Sequence, residues 1–301
     1  MLSGDQSIDI PVFNQMGVQL GAQWPPIEGL DIVDSIAEPV GTRVRIYQPQ
    51  RNQSSLPLIV YFHGGGYISG DLESEDPQCR ILAAKVPAIV VSVDYPLAPA
   101  NDFTSIIKAS LRTVDWAQAQ QLTTSRQLLL AGGSAGGSLV IQLTYHYAIS
   151  SDPHRLTGLV VLFPFCAPID LYTGPHADEM KSMDEKAEGA PFLTKQVMIG
   201  MYDPLKPDLT SPEHFALLAP PEVLAKFPRT YVVTAEHDPV RDDGRILVKR
   251  LRNECGKGVK EDYYEGVPHY FFWFPMLSLA HECMADIVKG VQWVLVADKD
   301  A

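Results

Sequence analysis

The chain has 301 residues with a formal charge of −12, and 46% of its residues are apolar while 20% are charged. This composition is typical of a globular protein with a sizeable core, and it excludes a disordered chain. The acidic balance argues against a nucleic-acid partner, which usually needs a basic face. No apolar stretch reaches about 18 residues, so no transmembrane helix is expected. Residues 1–21 lack the basic start and apolar core of a secretory signal.

The cysteine pattern indicates neither a disulfide framework nor a metal site. The four cysteines are widely spaced, with no pair at C-x-x-C spacing: Cys79, Cys166, Cys255 and Cys283. A zinc or redox site is therefore not expected. We predict reduced thiols in a cytoplasmic protein.

Short apolar runs alternate with longer helical patterns along the chain. The apolar runs predict strands at residues 44–47, 58–62, 88–93, 127–131, 159–163 and 230–234. The helical patterns cover about 77–85, 104–120, 135–148, 243–254 and 277–296. Several strands lack polar alternation, which suits a parallel sheet with helices on both faces. The order predicts a doubly wound, mostly parallel α/β sheet built from right-handed βαβ units.

Two regions break this alternation. The first covers residues 1–30, a polar stretch before any predicted strand, and the second covers 166–228, which is rich in Pro and mixed charge. A structureless loop of the second length is unusual inside a compact domain, so an inserted helical lid is favoured over a plain surface excursion. We predict one domain over 1–301, with a cap formed by about 1–30 and 166–228.

The sharpest local signal is the segment 132–137, Gly-Gly-Ser-Ala-Gly-Gly, which follows a predicted strand and opens a predicted helix. G-x-S-x-G in this context indicates a nucleophile elbow, where small residues let the backbone turn tightly and expose the hydroxyl of Ser134. The alternative is a glycine-rich turn that holds a phosphate. The segment lacks the Lys-Ser/Thr pair of a P-loop, so the nucleophile is favoured.

A second signal, His63 followed by three glycines, comes directly after the strand at 58–62. Acyl transfer places negative charge on the substrate carbonyl oxygen, and backbone N–H groups directed at that oxygen stabilise it. We predict Gly64 and Gly65 as donors from this loop and Ala135, just after the nucleophile, as the third. We expect His63 itself to hold the loop in place and not to move protons.

A serine nucleophile needs a base, and the base needs an orienting carboxylate. The order Ser, then acid, then His, each after a strand, leads to Asp238 after the strand at 230–234 and His269 after residues 260–265.

Other acids and histidines fit this order less well. Glu236 is closer to the strand, Asp242 or Asp243 stands where a helix start needs a cap, and His237 adjoins the acid. His146 and His281 lie inside helical patterns. His154, His176 and His214 precede the strand at 230–234 that leads to the acid, which is the wrong order.

Taken together, these motifs resemble the hormone-sensitive-lipase-like branch of the α/β-hydrolase family, from about residue 42 to the C-terminus. The matching segments are 63–71, 93–99, 132–137, 238–242 and 268–269. The resemblance implies an α/β-hydrolase fold in which Ser134 is the nucleophile, His269 the base and Asp238 the orienting acid. The oxyanion hole implied is the amides of Gly64, Gly65 and Ala135. It implies hydrolysis of carboxylic esters of short to medium acyl chain, without cofactor or metal.

Three positions depart from the family pattern. Gly133 stands where the family usually has Asp or Glu, and Pro96 and Ala100 replace the usual Arg and Glu. Side-chain ties that normally brace the elbow are therefore expected to be missing. The acidic run at 71–76 has two interpretations: a guard at the pocket mouth that repels anions, or a solvated helix start. Five aromatic residues near the motifs line a pocket or belong to the core: Tyr67, Phe163, Phe165, Phe271 and Phe272.

We therefore predict a serine carboxylesterase acting on a small-molecule ester. A first alternative keeps the triad but transfers the acyl group, or processes a thioester or lactone in a secondary-metabolite pathway. A second is a non-catalytic ligand-binding receptor on the same fold. The intact order of Ser, Asp and His favours the esterase. The acyl and alcohol groups, and the choice between monomer and homodimer, stay open at this point.

Overall fold

A computed structural model of the chain describes residues 6–50, 55–169, 172–186, 190 and 193–296, with backbone alone for 6–11 and 13. Within this part, eight strands form one sheet. They are β1 (Leu30–Ala37), β2 (Thr42–Pro49), β3 (Leu58–Phe62), β4 (Ile89–Asp94), β5 (Leu128–Gly133), β6 (Gly158–Leu162), β7 (Arg229–His237) and β8 (Val259–Pro268). The α-helices are α1 (Gln6–Gly21), α2 (Asp76–Lys85), α3 (Phe103–Ala119), α4 (Ala135–Ile149), α5 (Ser182–Lys186), α6 (Lys195–Leu205), α7 (Pro221–Leu224), α8 (Arg241–Lys249) and α9 (Ser278–Leu295).

The sheet is mostly parallel, as predicted. Its strand order is β1-β2-β4-β3-β5-β6-β7-β8. β2 runs antiparallel to both of its neighbours, and all pairs from β4 to β8 are parallel. The doubly wound α/β fold is therefore confirmed, and every predicted strand overlaps an observed one.

Both faces of the sheet are buried, which explains the uninterrupted apolar runs. Val60 and Leu130 face the cluster that contains α3, α4 and α8, whereas the adjacent Ile59 and Leu129 face the cluster with α2 and α9. Because successive side chains of a strand point to opposite faces, a strand covered on both sides needs apolar residues at every position.

Besides β8 and the individual helices of the predicted lid, two elements lie outside the predicted strands and helices. The first is the edge strand β1, where exposed and half-buried residues alternate. The second is α1, which lies in the polar N-terminal stretch despite Pro11. The predicted helix at 243–254 begins earlier, at Arg241, and its last turn is a π-helix over Arg250–Glu254.

The carboxyl ends of the parallel strands bring the predicted site residues to one edge of the sheet. Phe62 pairs with Gly132. The segment that follows β3, residues 63–70 and here called the glycine loop, therefore leaves the sheet beside the turn after β5. Asp238 follows β7 and His269 follows β8, and these two strands also pair in parallel. Loops at this edge are where ligands bind in open α/β sheets.

Two buried aspartates at the start of α8 hold the segment 166–228. Asp243 Oδ1 accepts the N–H groups of Cys166 at 2.6 Å and Ala167 at 2.9 Å. Asp242 Oδ2 accepts the N–H groups of Lys181 at 2.9 Å and Ser182 at 2.7 Å. Neither carboxylate caps α8, whose N-cap residue is Val240. The expectation of a capping role is therefore wrong for both, since their acceptors serve the inserted segment.

We expect the stability of the Asp243→Asn variant, relative to the wild type, to rise with pH. Burial raises the pKa of Asp243 to about 7 from an ordinary 3.8. Unfolding therefore releases a proton between those values, and the wild type loses stability as pH rises towards 7, by about 1.4 kcal/mol for each pKa unit of separation. Asn keeps the acceptor oxygen but does not ionise. Urea unfolding of both proteins at pH 5, 6, 7 and 8 measures the difference.

Asp242→Asn is the matched control for this series. Burial opposes ionisation of Asp242, but hydrogen bonds from Arg241 and two backbone N–H groups lower its pKa below the usual value. Asp242 is therefore ionised in both the folded and unfolded states above pH 5, and its variant should show a constant stability difference from pH 5 to 8. A constant difference for Asp243→Asn as well would contradict the burial argument.

Candidate active site

Ser134 lies in a tight turn between the end of β5 and the start of α4. Its backbone has φ 51° and ψ −119°, a conformation that non-glycine residues rarely adopt. Its N–H donates to the carbonyl of Leu162 at 2.8 Å. A Cβ on Gly136 would lie 2.0 Å from the carbonyl oxygen of Phe62, so only glycine fits there. The strained turn is therefore held by strands on both sides of β5.

The structure brings Ser134, His269 and Asp238 into one hydrogen-bonded chain. His269 Nε2 lies 2.9 Å from Ser134 Oγ, and its Nδ1 lies 2.7 Å from Asp238 Oδ2. Asp238 is fully buried, and its other oxygen accepts the N–H of Val240 at 2.9 Å. With the proton on Nδ1 donated to the carboxylate, Nε2 is free to accept the serine hydroxyl proton. Such an arrangement can deprotonate a serine as its oxygen attacks a carbonyl.

The competing acids and histidines lie elsewhere. Glu236 accepts the N–H of Gly266 at 2.8 Å and so joins the carboxyl-terminal ends of β7 and β8. His237 is exposed, 3.9 Å from the Glu236 carboxylate. Three other histidines have hydrogen-bond partners outside this group: His176 on Glu179 and Glu254, His214 on Thr104 and Asp208, and His281 on Pro275.

The glycine loop corrects one predicted oxyanion donor. The N–H of Gly64 donates to Glu75 Oε1 at 2.6 Å, so it is directed into the protein and is unavailable to a substrate. The assignment of Gly64 as a donor was wrong because a buried acceptor lies beneath the loop. The described residues contain no acceptor for the N–H groups of Gly65 and Gly66.

His63 is packed beneath this loop. It is fully buried, its ring stacks on Tyr95 with centroids 4.3 Å apart, and its Nδ1 lies 2.7 Å from the Gly64 carbonyl oxygen. Burial lowers its pKa to about 4, so the ring is neutral at physiological pH. These contacts fit a residue that fixes the loop.

Glu75 is a buried carboxylate that sequence reasoning did not single out. It lies in the acidic run but is only 2% exposed, so neither interpretation of that run applies to it. Burial raises its pKa to about 7, against the hydrogen bonds that lower it. The other acids of the run behave differently: Glu73 and Asp76 pair with Arg45, and Asp76 also pairs with Arg80.

The five aromatic residues near the motifs all belong to the core. Each is at most 7% exposed. Phe163 packs edge-on against His269 with ring centroids 5.9 Å apart, so it supports the imidazole from behind. Tyr67 packs against Phe103 and Phe165.

The described residues contain neither a metal-binding cluster nor a membrane-spanning helix. In that part of the chain, no group of three or more His, Cys, Asp or Glu side chains is placed to hold a metal ion. None of its helices combines the length and apolar character needed to cross a membrane.

Sequence comparisons identify relatives over most of the chain. Residues 59–273 match the family described as alpha/beta hydrolase fold. A versiconal hemiacetal acetate esterase of Dothistroma septosporum is 30% identical over 284 residues, which are 92% of this chain and 85% of that protein. The carboxylesterase NlhH of Mycobacterium tuberculosis is 36% identical over 216 residues, 69% of this chain and 64% of that protein.

Solved structures agree with this assignment. An esterase of Pyrobaculum calidifontis superposes with a TM-score of 0.84 at 28% identity, covering 97% of this chain and 94% of its own. Vibralactone cyclase superposes with a TM-score of 0.82 at 26% identity, covering 95% of this chain and 85% of its own. The chain therefore belongs to the α/β-hydrolase family, in its hormone-sensitive-lipase-like branch of carboxylic ester hydrolases.

Proposed function

We propose that this chain is a serine carboxylesterase that cleaves small-molecule esters of short to medium acyl chain through an acyl-enzyme. Ser134 Oγ attacks the ester carbonyl while His269 Nε2 takes the hydroxyl proton. The tetrahedral intermediate then expels the alkoxide, which His269 protonates. A water molecule, deprotonated in turn by His269, attacks the acyl-enzyme and releases the acid. Asp238 orients the imidazole and stabilises its charged form.

One observation carries this proposal: the chain of hydrogen bonds from Ser134 through His269 to Asp238, at 2.9 and 2.7 Å. The three residues come from three separate loops spread over 136 positions, and the strained backbone of Ser134 presents the hydroxyl to the base. A packing role alone requires neither the strain nor the alignment. The same geometry disfavours a receptor with a disabled site.

The oxyanion hole in this proposal consists of the N–H groups of Gly65, Gly66 and Ala135. Ala135 is the first residue of α4, where an N–H has no partner inside the helix. The helix N-terminus also carries partial positive charge, which favours an oxyanion beside Ser134. Gly66 replaces Gly64 because the N–H of Gly64 is occupied by Glu75.

We assign the cap to about 1–30 and 166–228, within one domain. Both segments contact the glycine loop in the described residues. The thioether of Met201, on α6, lies against Gly66, and Asn14 Oδ1, on α1, accepts the N–H of Gly70 at 2.9 Å. A cap resting on the oxyanion loop can limit substrate size and exclude water from the reacting carbonyl. We also place the enzyme in the cytoplasm, because all four cysteines are unpaired thiols.

A second candidate keeps the acyl-enzyme but changes the acceptor. The similarity to vibralactone cyclase, a protein named for making a lactone, favours it. In that case, a hydroxyl of the substrate or of a second molecule attacks the Ser134 ester in place of water. The residues that form the acyl-enzyme are the same in both reactions.

We expect Ser134→Ala to lower kcat/KM for p-nitrophenyl acetate by several orders of magnitude, because the nucleophile is lost while the fold is kept. Only the wild type should be labelled by a fluorophosphonate, with the adduct found on Ser134 by peptide mass spectrometry. A receptor on a disabled site would give no label. Full activity in purified Ser134→Ala would refute the assignment.

Asp238→Asn should lower kcat by about 10³- to 10⁴-fold with little change in KM, because an amide cannot stabilise the imidazolium and favours the wrong tautomer. The matched control is Glu236→Gln, a substitution of a nearby carboxylate near the end of β7 that contacts Gly266 instead of His269. Steady-state kinetics of both variants measures the difference. Equal losses in the two would mean that a general disturbance at the end of β7, and not the loss of the carboxylate on His269, is responsible.

Product analysis distinguishes water from another acceptor. With p-nitrophenyl acetate and excess benzyl alcohol, the proposed esterase should yield free acetate as the main product, measured by chromatography. Benzyl acetate in excess over acetate would support the second candidate, and the Ser134→Ala protein is the blank for both.

A further inference from the structure

We propose that Glu75 and Tyr270 are positioning residues for the oxyanion loop, which they hold from below through one buried hydrogen-bonded unit. This inference rests on the proposed function, since it concerns the same oxyanion hole. Neither side chain hydrogen-bonds to Ser134 or His269. They act by fixing the peptide plane at Gly64 and, through it, the N–H groups that follow.

Glu75 accepts hydrogen bonds from three different parts of the fold. The N–H of Gly64 and the hydroxyl of Tyr270 both donate to its Oε1, each at 2.6 Å, and the hydroxyl of Tyr61 donates to its Oε2. These donors come from the glycine loop, the loop after β8 and the carboxyl-terminal end of β3. A single carboxylate therefore joins the predicted oxyanion loop to the segment that carries His269.

The loop needs such a tie because it contains three consecutive glycines. Glycine has the widest range of backbone conformations, so an untied run would sample many N–H orientations. Catalysis by an oxyanion hole depends on donors that are oriented before the charge develops. Other ties hold the ends of the loop: the Tyr95 hydroxyl donates to the His63 carbonyl at 2.8 Å, and the Ser69 N–H donates to the Gly65 carbonyl at 3.0 Å. At Gly64, the hydrogen bond from its N–H to Glu75 holds the backbone.

Tyr270 fills the space that a side chain at position 133 would otherwise take. A Cβ on Gly133 would lie 2.2 Å from the Tyr270 hydroxyl oxygen, and a Cβ on Gly64 would lie 2.5 Å from it. The hydroxyl thus lies between the two neighbouring strand ends that carry the nucleophile and the oxyanion loop. Position 133 therefore lacks an acidic side chain, and the Tyr270 hydroxyl, from the loop after β8, occupies the space where that side chain would begin.

Tyr270 is held in an unfavourable backbone conformation. Its φ is 61°, a left-handed value that costs a non-glycine residue energy unless its surroundings impose it. Its ring stacks on His269 with centroids 5.3 Å apart and packs edge-on against Phe272 and Trp273. The same residue therefore supports the base on its ring face and Glu75 at its hydroxyl.

Tyr270→Phe and Glu75→Gln test the proposal with the shape of the unit preserved. We expect each to lower kcat for p-nitrophenyl acetate by about 10- to 100-fold with KM changed by less than about 3-fold, because misoriented donors weaken transition-state binding in particular. The inhibition constant of an aryl trifluoromethyl ketone, which forms an oxyanion on Ser134, should weaken in parallel. A purely structural role would lower the urea midpoint without moving kcat or that constant.

Tyr231→Phe is the matched control. Tyr231 is a buried tyrosine whose hydroxyl donates to Asp262 at 2.5 Å, in a strand away from the oxyanion loop. Its variant should lose stability and retain kcat. If Tyr270→Phe and Glu75→Gln keep wild-type kcat and ketone affinity, the positioning role is refuted. The proposed function fails separately, only if Ser134→Ala stays active.

A double-mutant cycle tests the shared space. Gly133→Ala should lower kcat in the wild type, since its methyl group meets the Tyr270 hydroxyl, and should cost much less in a Tyr270→Gly background, where the space is open. Glycine also suits the left-handed backbone at 270. Kinetics of the two single variants and the double variant gives the coupling. Additive losses would show that Tyr270 and position 133 do not share the space.

Discussion

The strained turn at Ser134 is the constraint on which the rest of the site depends. A serine with positive φ, between a buried strand and a helix, presents its hydroxyl to His269 Nε2 at 2.9 Å. That turn closes only because the Gly136 backbone approaches the Phe62 carbonyl more closely than any side chain would permit. The same approach brings the end of β3 beside the nucleophile, so the glycine loop emerges next to Ser134. The position of the oxyanion donors thus follows from the packing that strains the nucleophile.

Three buried carboxylates hold the loops around this turn. Asp238 orients His269, Asp243 holds the chain as it leaves β6, and Glu75 holds the glycine loop. Each accepts at least one backbone N–H, which compensates part of the cost of burying it. Burial still raises the pKa of Asp243 and of Glu75 to about 7. The acidic character of the chain is therefore partly internal, and not only a property of its surface.

The buried elements were predictable from the sequence, whereas the tertiary contacts of single polar residues were not. Residues 58–62 and 128–131 are apolar without interruption, which is a local signal of burial on both faces. By contrast, β1 is a half-exposed edge strand that pairs with β2 alone among the strands, so its own residues carry no uninterrupted apolar run. Motif order likewise led to Ser134, Asp238 and His269, because each follows a strand end. It could not show that the Gly64 N–H points towards Glu75, since that direction depends on a residue 11 positions away on another turn.

Gly133 departs from the family pattern, and Tyr270 occupies the space beside it. Taken alone, the loss of an acidic side chain before the nucleophile removes a brace from the elbow. In the structure the space is occupied by the Tyr270 hydroxyl, which is tied to a carboxylate in the same buried unit. The two changes are linked by sterics, because a Cβ at 133 and the hydroxyl at 270 cannot occupy one place. The elbow is therefore braced from the loop that carries the base, and that loop is joined to the oxyanion loop through the side chains of Tyr270 and Glu75.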